Sequence, residues 1–113
     1  LDGCTILPFG QDIGELLHRS SCVVLPSYRE GLSRILLEAC ATGRPILTTP
    51  APGCGDLINL DLNGMLSEIG DHLGLAENML VMLSKTDSQY PPEGDVRVIA
   101  ILPALTKLYE VFL

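Results

Sequence analysis

The chain has 113 residues, of which 47% are hydrophobic and 19% are charged, and its net charge is −7 at pH 7. A chain of this length and composition forms one globular domain at most and is too apolar to be intrinsically disordered. The acidic balance argues against a nucleic-acid-binding surface, because such a surface needs a basic face. It does not exclude a phosphate ligand, since backbone amides at a helix N-terminus bind anions whatever the net charge.

The four cysteines show neither a CxxC pair nor the Cys/His spacing of a metal site. Cys22 begins a predicted strand and Cys40 lies on the apolar face of a predicted helix, so we expect reduced, buried thiols. The sequence shows no signal peptide and no apolar run near the ~20 residues of a membrane helix, so we expect a cytoplasmic protein. The chain begins at Leu1, inside a predicted strand, and we expect it to be part of a longer protein.

The first half of the chain alternates predicted strands and helices. In order, these are a strand at residues 5–7, a helix capped by Asp12 and ending near Arg19, a strand at 23–25, a helix at 32–41 stopped by Gly43, and a strand at 46–49. Ile13, Leu16 and Leu17 are expected to face the core. This alternation predicts an α/β fold, a three-layer Rossmann-like parallel sheet with helices on both faces. Ligands bind such sheets at the carboxyl ends of the strands, which makes the loops at 26–31 and 50–56 the candidate rim.

The second half is less regular. It predicts a turn at residues 61–64, a short edge strand at 65–66, a helix from the Asp71 cap to about Ser84, a linker at 84–95, a strand or kinked helix at 96–102 and a helix at 104–113. In the helix after Asp71, the residues expected to face inward are Leu73, Ala76, Leu80 and Leu83. Residues 1–86 are therefore the expected binding domain, residues 87–95 a linker, and residues 96–113 a helical tail that packs back on the domain.

Two carboxylates, Glu30 and Glu38, stand eight positions apart at the second predicted helix. Eight helical residues rise ~12 Å, which is too far for the two groups to share a proton or to act as the acid and base of a typical glycosidase. They are placed to hold the two ends of an extended ligand. Between them the amides of residues 31–33 lie at the positive end of the helix dipole, where a diphosphate binds well, and Gly31 lets a ligand approach the backbone.

An alternative interpretation needs no ligand. Glu30 can simply stabilise the helix dipole, and Glu38 can be a solvated residue paired with Arg34 at i, i+4. The two glutamates alone favour this interpretation over a ligand-binding site. Only the residues around them favour the ligand-binding site.

The wider segment 25–58, LPSYREGLSRILLEACATGRPILTTPAPGCGDLI, closely resembles the nucleotide-sugar-binding segment of family-four retaining glycosyltransferases of the B-type, two-Rossmann fold. The family frame is P-S-x-x-E-G-x-P…E-A-x-A-x-G-x-P. The matching residues are Pro26, Ser27, Glu30, Gly31, Glu38, Ala39, Ala41, Gly43 and Pro45. The resemblance covers residues 5–86 and is greatest to bacterial enzymes that build polysaccharides or lipid-linked oligosaccharides from UDP-sugars.

The resemblance implies a role for each site residue. Glu30 is the candidate catalytic and substrate-binding residue, bonding hydroxyls of the donor sugar near the reacting carbon, and we do not assign it as a nucleophile. Glu38 is expected to accept hydrogen bonds from the nucleotide ribose. The amides of Gly31, Leu32 and Ser33 are expected to meet the diphosphate. The implied reaction is glycosyl transfer to a saccharide or lipid-linked acceptor with retention at the anomeric carbon, without a cofactor or an essential metal.

Some positions depart from the family. Ser33 replaces a usual Pro, Pro50 replaces a common Asp, and residues 55–56 replace a frequent Arg-Glu pair. Relatives also carry an acceptor-binding N-terminal domain and an Arg and a Lys that clamp the diphosphate, none of which is present here. We therefore expect the isolated chain to be inactive, and peripheral membrane association, at the inner face of the membrane, would occur through the missing domain.

Other interpretations stay open. The chain is alternatively a non-catalytic nucleotide-binding or interaction module derived from the same fold, whereas a sugar-nucleotide epimerase is disfavoured by the Glu-x7-Glu frame. His18 and His72 are expected in surface or capping roles. Arg29, Arg34 and Arg44 are expected near the anion site, mainly as solvated residues. Tyr28 is either a ligand contact or a loop-packing residue.

Overall fold

The computed structural model describes residues 7–8, 10–29, 31–60, 62–89 and 98–100. The elements in chain order are helix α1 (Ile13–Arg19), strand β1 (Cys22–Leu25), helix α2 (Arg34–Thr42), strand β2 (Ile46–Thr48), a 3-10 turn (Gly55–Leu57), strand β3 (Gly64–Leu66), helix α3 (His72–Gln89) and strand β4 (Val98–Ala100). The predicted strand at 5–7, apart from Leu7, and the predicted helix at 104–113 lie outside the described residues.

The four described strands form one parallel sheet in the order β3-β2-β1-β4. The path from β1 through α2 to β2 moves in one direction across the sheet, and the path from β3 through α3 to β4 moves back across it. Because parallel crossovers are right-handed, two crossovers in opposite directions place their helices on opposite faces. The predicted three-layer α/β fold is confirmed, and β3 is an edge strand as expected.

Two buried clusters, one on each face of the sheet, confirm this layering. The cluster on the α1 and α2 face consists of Leu17, Val23, Leu25, Leu36, Ala39, Ile46, Ala51 and Cys54. The cluster on the α3 face consists of Cys22, Val24, Leu47 and Met82, with Met65, Leu75, Met79 and Leu83 packed against it. Alternate residues of β1 and β2 point to opposite clusters, which explains why these strands are apolar throughout rather than alternating.

Local capping chemistry sets the ends of the first two helices. The Asp12 carboxylate accepts a hydrogen bond from the Glu15 amide at 3.1 Å, as predicted for the start of α1. Helix α2 begins at Arg34 rather than at residue 32, because the Ser33 hydroxyl caps it by accepting from the Leu36 amide at 3.4 Å. Gly43 ends α2 in the left-handed conformation, with φ of 74°, which confirms it as the stop signal.

The inward face predicted for α3 is wrong at three of its four positions. Leu73 and Leu80 are 78% and 70% exposed, and Ala76 is also exposed, whereas Leu83 packs against the core as expected. The residues that accompany Leu83 inward are Leu75, Met79 and Met82. The Asp71 cap is confirmed, since its carboxylate accepts from the Gly74 amide at 2.9 Å.

Three further predictions are corrected or decided. Helix α3 continues to Gln89, so residues 84–89 are helical rather than part of a linker. Residues 98–100 form strand β4, so the strand is the correct alternative for that stretch and the kinked helix is not. Cys22 and Cys54 are buried as small core residues, but Cys40 is exposed, because its position on α2 faces away from the core. These three cysteines form no disulfide bond.

Candidate donor-binding site

The loops that follow β1 and β2 are joined at the carboxyl rim of the sheet by buried hydroxyl groups. Thr48 donates from its hydroxyl to the Leu25 carbonyl at 2.8 Å, and Thr49 donates to the Ser27 carbonyl at 2.6 Å. The strand after them joins the same rim, since the Ser67 amide donates to the Thr48 carbonyl at 2.8 Å. The three loops therefore form one connected surface, and a residue placed on one loop is fixed relative to the others.

Ser33 ties the start of α2 to the loop after β2. Its hydroxyl caps the helix, and its amide donates to the Gly53 carbonyl at 3.3 Å. The Ser33 amide is thus engaged within the protein, which leaves Gly31 and Leu32 as the open backbone of this loop. A Cβ built on Gly31 meets no atom within 4 Å, and the Leu32 side chain is exposed. This backbone faces solvent at the positive end of a nine-residue helix.

Glu38 lies a little over one turn into α2 and is half-exposed. Its carboxylate oxygen is 3.6 Å from the Arg34 Nε, at the i, i+4 spacing expected of a surface pair. The side chain of Arg34 is 93% exposed and that of Glu38 is 42% exposed. An ion pair this exposed stabilises the helix by only about 0.3–0.5 kcal/mol. The Glu38 carboxylate is therefore accessible to a ligand that offers hydrogen-bond donors.

Glu30 lies outside the described residues, and its role stays a prediction. Its neighbours on both sides are described: Arg29 is an exposed residue of the loop after β1, and Gly31 begins the approach to α2. Of the described site residues, Gly31, Leu32 and Ser33 lie together just before the start of α2, whereas Glu38 lies midway along the helix.

The third rim loop, residues 67–72, was missed as part of the site by the sequence analysis. A shallow cleft crosses the rim and is lined by Pro26, Tyr28, Thr49, Glu68, Gly70, Asp71, His72 and Leu75. Tyr28 packs toward Gly70, whose φ is 77°, and a Cβ there would lie 3.5 Å from the Tyr28 hydroxyl oxygen. The signal was available: a third parallel strand ends at the same rim as the first two.

Arg44 is not near the anion site, which corrects the prediction that grouped it with Arg29 and Arg34. It follows α2 and precedes β2, at the opposite end of the sheet. Its Nε donates to the Leu17 carbonyl and its Nη2 donates to the His18 carbonyl, each at 2.9 Å. Arg44 therefore satisfies the last carbonyls of α1 with a charge that complements the helix dipole.

Neither a metal cluster nor a membrane span is found in the part of the chain that the structure describes. No group of three His, Cys, Asp or Glu side chains is placed there to hold a metal ion. Among the same residues, no helix combines the length and the apolar character needed to cross a membrane.

The similarity of the chain to known protein families identifies the kind of protein to which this site belongs. The family model described as "Glycosyl transferases group 1" matches residues 1–85. The chain belongs to this glycosyltransferase family. The match includes α2, both loops that flank Ser33 and the rim loop at 67–72, so the whole described site lies within it. The family resemblance expected from the segment at residues 25–58 is thereby confirmed.

Several curated glycosyltransferases are also similar to this chain. An N,N'-diacetylbacillosaminyl-diphospho-undecaprenol alpha-1,3-N-acetylgalactosaminyltransferase of Campylobacter jejuni is 35% identical over 72 residues, 64% of this chain and 19% of the relative. An N-acetyl-alpha-D-glucosaminyl L-malate synthase of Bacillus anthracis shows the same identity and coverage. A UDP-Gal:alpha-D-GlcNAc-diphosphoundecaprenol alpha-1,3-galactosyltransferase of Escherichia coli is 35% identical over 66 residues, 58% of this chain and 17% of the relative.

The chain spans about one fifth of the length of these curated relatives, 19% in the first two. No solved structure matches it.

Proposed function

We propose that this chain binds a nucleotide diphosphate sugar, a UDP-sugar, at the rim formed by the loop after β1 and the start of α2. The observation that carries the proposal is the open backbone of Gly31 and Leu32 at the N-terminus of α2. Exposed amides at the positive end of a helix are suited to a diphosphate, whose charge interacts favourably with the helix dipole. The chain's membership of a glycosyltransferase family supports a sugar nucleotide as the source of that diphosphate.

Glu38 supplies a second contact. Five helical residues separate it from Ser33, a rise of ~7.5 Å, which is a suitable distance from a bound diphosphate to the ribose of the same nucleotide. The half-exposed Glu38 carboxylate accepts the ribose hydroxyls after releasing its weak pairing with Arg34. A carboxylate accepts two such bonds without moving the helix, so binding costs little rearrangement.

Glu30 completes the proposed site at the sugar end. In this proposal it bonds the donor sugar next to the reacting carbon, and the sugar is transferred with retention to a saccharide or lipid-linked acceptor. The names of two relatives, from C. jejuni and E. coli, specify undecaprenol-linked acceptors, which supports the lipid-linked class. Transfer requires the acceptor-binding domain that relatives carry, and it belongs to the whole protein.

The test is a titration of the 113-residue chain with UDP-galactose and UDP-N-acetylglucosamine, followed by amide NMR. We expect shifts at residues 31–38 and in the loop at 50–56, because the Ser33–Gly53 hydrogen bond couples the two. UDP alone should reproduce most of these shifts, since the diphosphate and ribose make most of the proposed contacts. Titration with GDP-mannose tests whether the site distinguishes guanine from uracil.

Two variants test the assignments. Glu38→Gln removes the charge but keeps the shape of the side chain, and we expect it to weaken UDP binding roughly tenfold, the effect of losing a charge-assisted bond. Glu77→Gln, an exposed glutamate of α3 on the opposite face of the sheet from α2, is the matched control and should bind like the unchanged chain. Glu30→Gln should weaken binding of the UDP-sugars more than that of UDP. Absence of shifts at residues 31–38 in the unchanged chain would contradict nucleotide binding and would instead support the non-catalytic interaction module.

A further inference from the structure

The shallow cleft at the carboxyl rim, which we call the rim cleft, lies at the side of the sheet away from Glu38. Helix α2, which carries Glu38, covers one face of the sheet, and α3 covers the opposite face. The rim cleft crosses the strand ends toward the start of α3, from Pro26 after β1 and Thr49 after β2 to Glu68 after β3. An extended ligand that runs from Glu38 past the start of α2 and continues in the same direction therefore reaches the rim cleft.

The floor of the rim cleft is held in place by the sheet. Pro26 and Thr49 are buried neighbours, because the residues before them, Leu25 and Thr48, are paired across β1 and β2. The loop after β3 is tied to this floor, since the buried Ser67 donates its amide to the Thr48 carbonyl at 2.8 Å. The rim cleft is therefore formed before any ligand binds, as is usual for small-molecule sites.

Tyr28 supplies an aromatic ring to the rim cleft. A Cβ built on Gly70 would lie 3.5 Å from the Tyr28 hydroxyl oxygen and 3.7 Å from its Cε1, so the ring lies against the Gly70 backbone. The Tyr28 side chain is nevertheless 42% exposed. A fixed, partly exposed ring with a polar tip can pack on the C–H groups of a sugar ring, and its hydroxyl can bond to the sugar.

Two exposed carboxylates, Glu68 and Asp71, also line the rim cleft. They belong to one turn, in which the Asp71 amide donates to the Glu68 carbonyl at 3.2 Å. Asp71 accepts from the Gly74 amide at 2.9 Å, but a carboxylate offers roughly four acceptor sites and can bind a hydroxyl as well. Among the described residues that line the rim cleft, none is Lys or Arg. This lining favours an uncharged ligand rich in hydroxyl groups and repels an anionic one.

We propose that the rim cleft holds the sugar of the nucleotide donor and selects uncharged sugars over uronic acids. This inference rests on the proposed function, since the sugar is the part of the donor that lies beyond the diphosphate. The Tyr28 ring packs on one face of the sugar, and Glu68 and Asp71 accept hydrogen bonds from its hydroxyl groups. Because the rim cleft is shallow, the other face of the sugar stays open to an acceptor, as a transfer reaction requires.

The test compares UDP-galactose with UDP-galacturonic acid, which carries a carboxylate where galactose carries its C6 hydroxymethyl group. Amide NMR titration of the 113-residue chain measures both the affinity and the position of binding. We expect UDP to shift residues 31–38 without shifting Tyr28, Gly70 or His72, and UDP-galactose to shift both sets. UDP-galactose should bind at least roughly threefold more tightly than UDP-galacturonic acid, because the uronate meets carboxylates of like charge. Added salt should reduce this difference.

Variants of the lining residues test the two contacts separately. Tyr28→Ala should weaken UDP-galactose binding roughly three- to tenfold and leave UDP binding unchanged, whereas Tyr28→Phe keeps the ring and should bind like the unchanged chain. Glu68→Gln should reduce the preference for UDP-galactose over UDP-galacturonic acid at least roughly twofold. Glu77→Gln is the matched control, since Glu77 is an exposed glutamate of α3 that does not line the rim cleft, and it should keep the full preference.

Three results would overturn the sugar subsite. They are UDP-galactose shifts at residues 31–38 without shifts at Tyr28, Gly70 and His72, equal affinities for the two sugar nucleotides, and equal effects of the Glu68 and Glu77 variants. In each of these cases the nucleotide still shifts residues 31–38, so the proposed donor binding stands and the subsite alone fails. If no ligand shifts residues 31–38, the proposed function and the subsite fail together.

Discussion

Gly64 begins β3 at a point where its Cα faces the backbone of β2. A Cβ built there would collide with the Ile46 carbonyl oxygen and would lie 3.2 Å from the Ile58 Cδ1. The obstacle is backbone, which cannot move aside as a flexible side chain can. We expect Gly64→Ala to lower the free energy of unfolding by about 2–3 kcal/mol, the usual cost of overpacking, and urea denaturation followed by circular dichroism measures it.

Gly14, within α1, is the control for this substitution. A Cβ at Gly14 meets only the Asp12 carboxylate, at 3.4 Å, which is ordinary contact. Gly14→Ala should leave stability unchanged or raise it by up to about 1 kcal/mol, because alanine favours the helix. Equal losses in the two variants would mean that the contact with Ile46 does not determine the residue at position 64.

Arg44 provides a second prediction at the level of a single residue. Its guanidinium donates to the Leu17 and His18 carbonyls in the last turn of α1. Arg44→Ala should cost roughly 1.5–3 kcal/mol, the value of hydrogen bonds from a charged donor, and Arg44→Lys should recover less than half, because an ammonium lacks the two-point fork. Thermal unfolding of these variants beside Arg34→Ala measures the effect. Arg34 is 93% exposed, and its loss should change stability by less than about 0.5 kcal/mol.

At the level of elements, α3 shows that an apolar side chain on a helix is not necessarily a buried one. Met82→Ala should lower stability by about 2–4 kcal/mol, since Met82 is 3% exposed and its removal leaves a cavity. Leu80→Ala should cost at most about 1 kcal/mol, because Leu80 has no described core contact to lose. Guanidinium unfolding of both variants gives the comparison. A larger loss at Leu80 than at Met82 would restore the inward face predicted from the sequence.

The inward face of α3 was predicted wrongly for a physical reason. Its sequence contains two overlapping apolar rows at helical spacing, and periodicity gives no reason to choose between them. The choice is made by Asn78, whose bonds to residues 66 and 67 rotate the helix. In α2 the sequence holds one apolar row, a Ser cap and a Gly stop, and the element was predicted to within two residues.

The site follows the same division. The candidate site was predicted on α2 and the loop before it, because a parallel sheet places all strand ends at one rim. Contacts between residues distant in sequence were not predictable, such as the Ser33 amide on Gly53 or the Arg44 side chain on α1, 27 positions away from Leu17. Such pairs depend on how helices pack, and local pattern carries no signal for them.

At the level of the whole molecule, the reactivity of the buried cysteines shows whether the two buried clusters unfold together. Cys54 lies in the cluster beneath α1 and α2, and Cys22 lies in the cluster beneath α3. If the sheet and both helical layers unfold as one unit, the two thiols become exposed in the same event. We expect iodoacetamide, followed by peptide mass spectrometry, to modify Cys22 and Cys54 at one common slow rate in the native protein.

Cys40, which is exposed on α2, is the internal reference and should react at close to the rate of an unfolded thiol. Faster modification of Cys22 than of Cys54 would show that the α3 layer opens by itself. The opposite order would assign the independent opening to the layer of α1 and α2, which carries the proposed donor-binding site.

The strand order has a consequence for synthesis of the chain on the ribosome. β1 is paired on one side by β2, made soon after it, and on the other by β4, made about 75 residues later. During translation the nascent chain presents the unpaired side of β1, an apolar strand, until residues 98–100 leave the exit tunnel. At 5–20 residues per second this interval lasts roughly 4–15 s. The emerging polypeptide is thus a natural client for a chaperone that shields strand edges, and pauses in translation before residue 98 should increase aggregation.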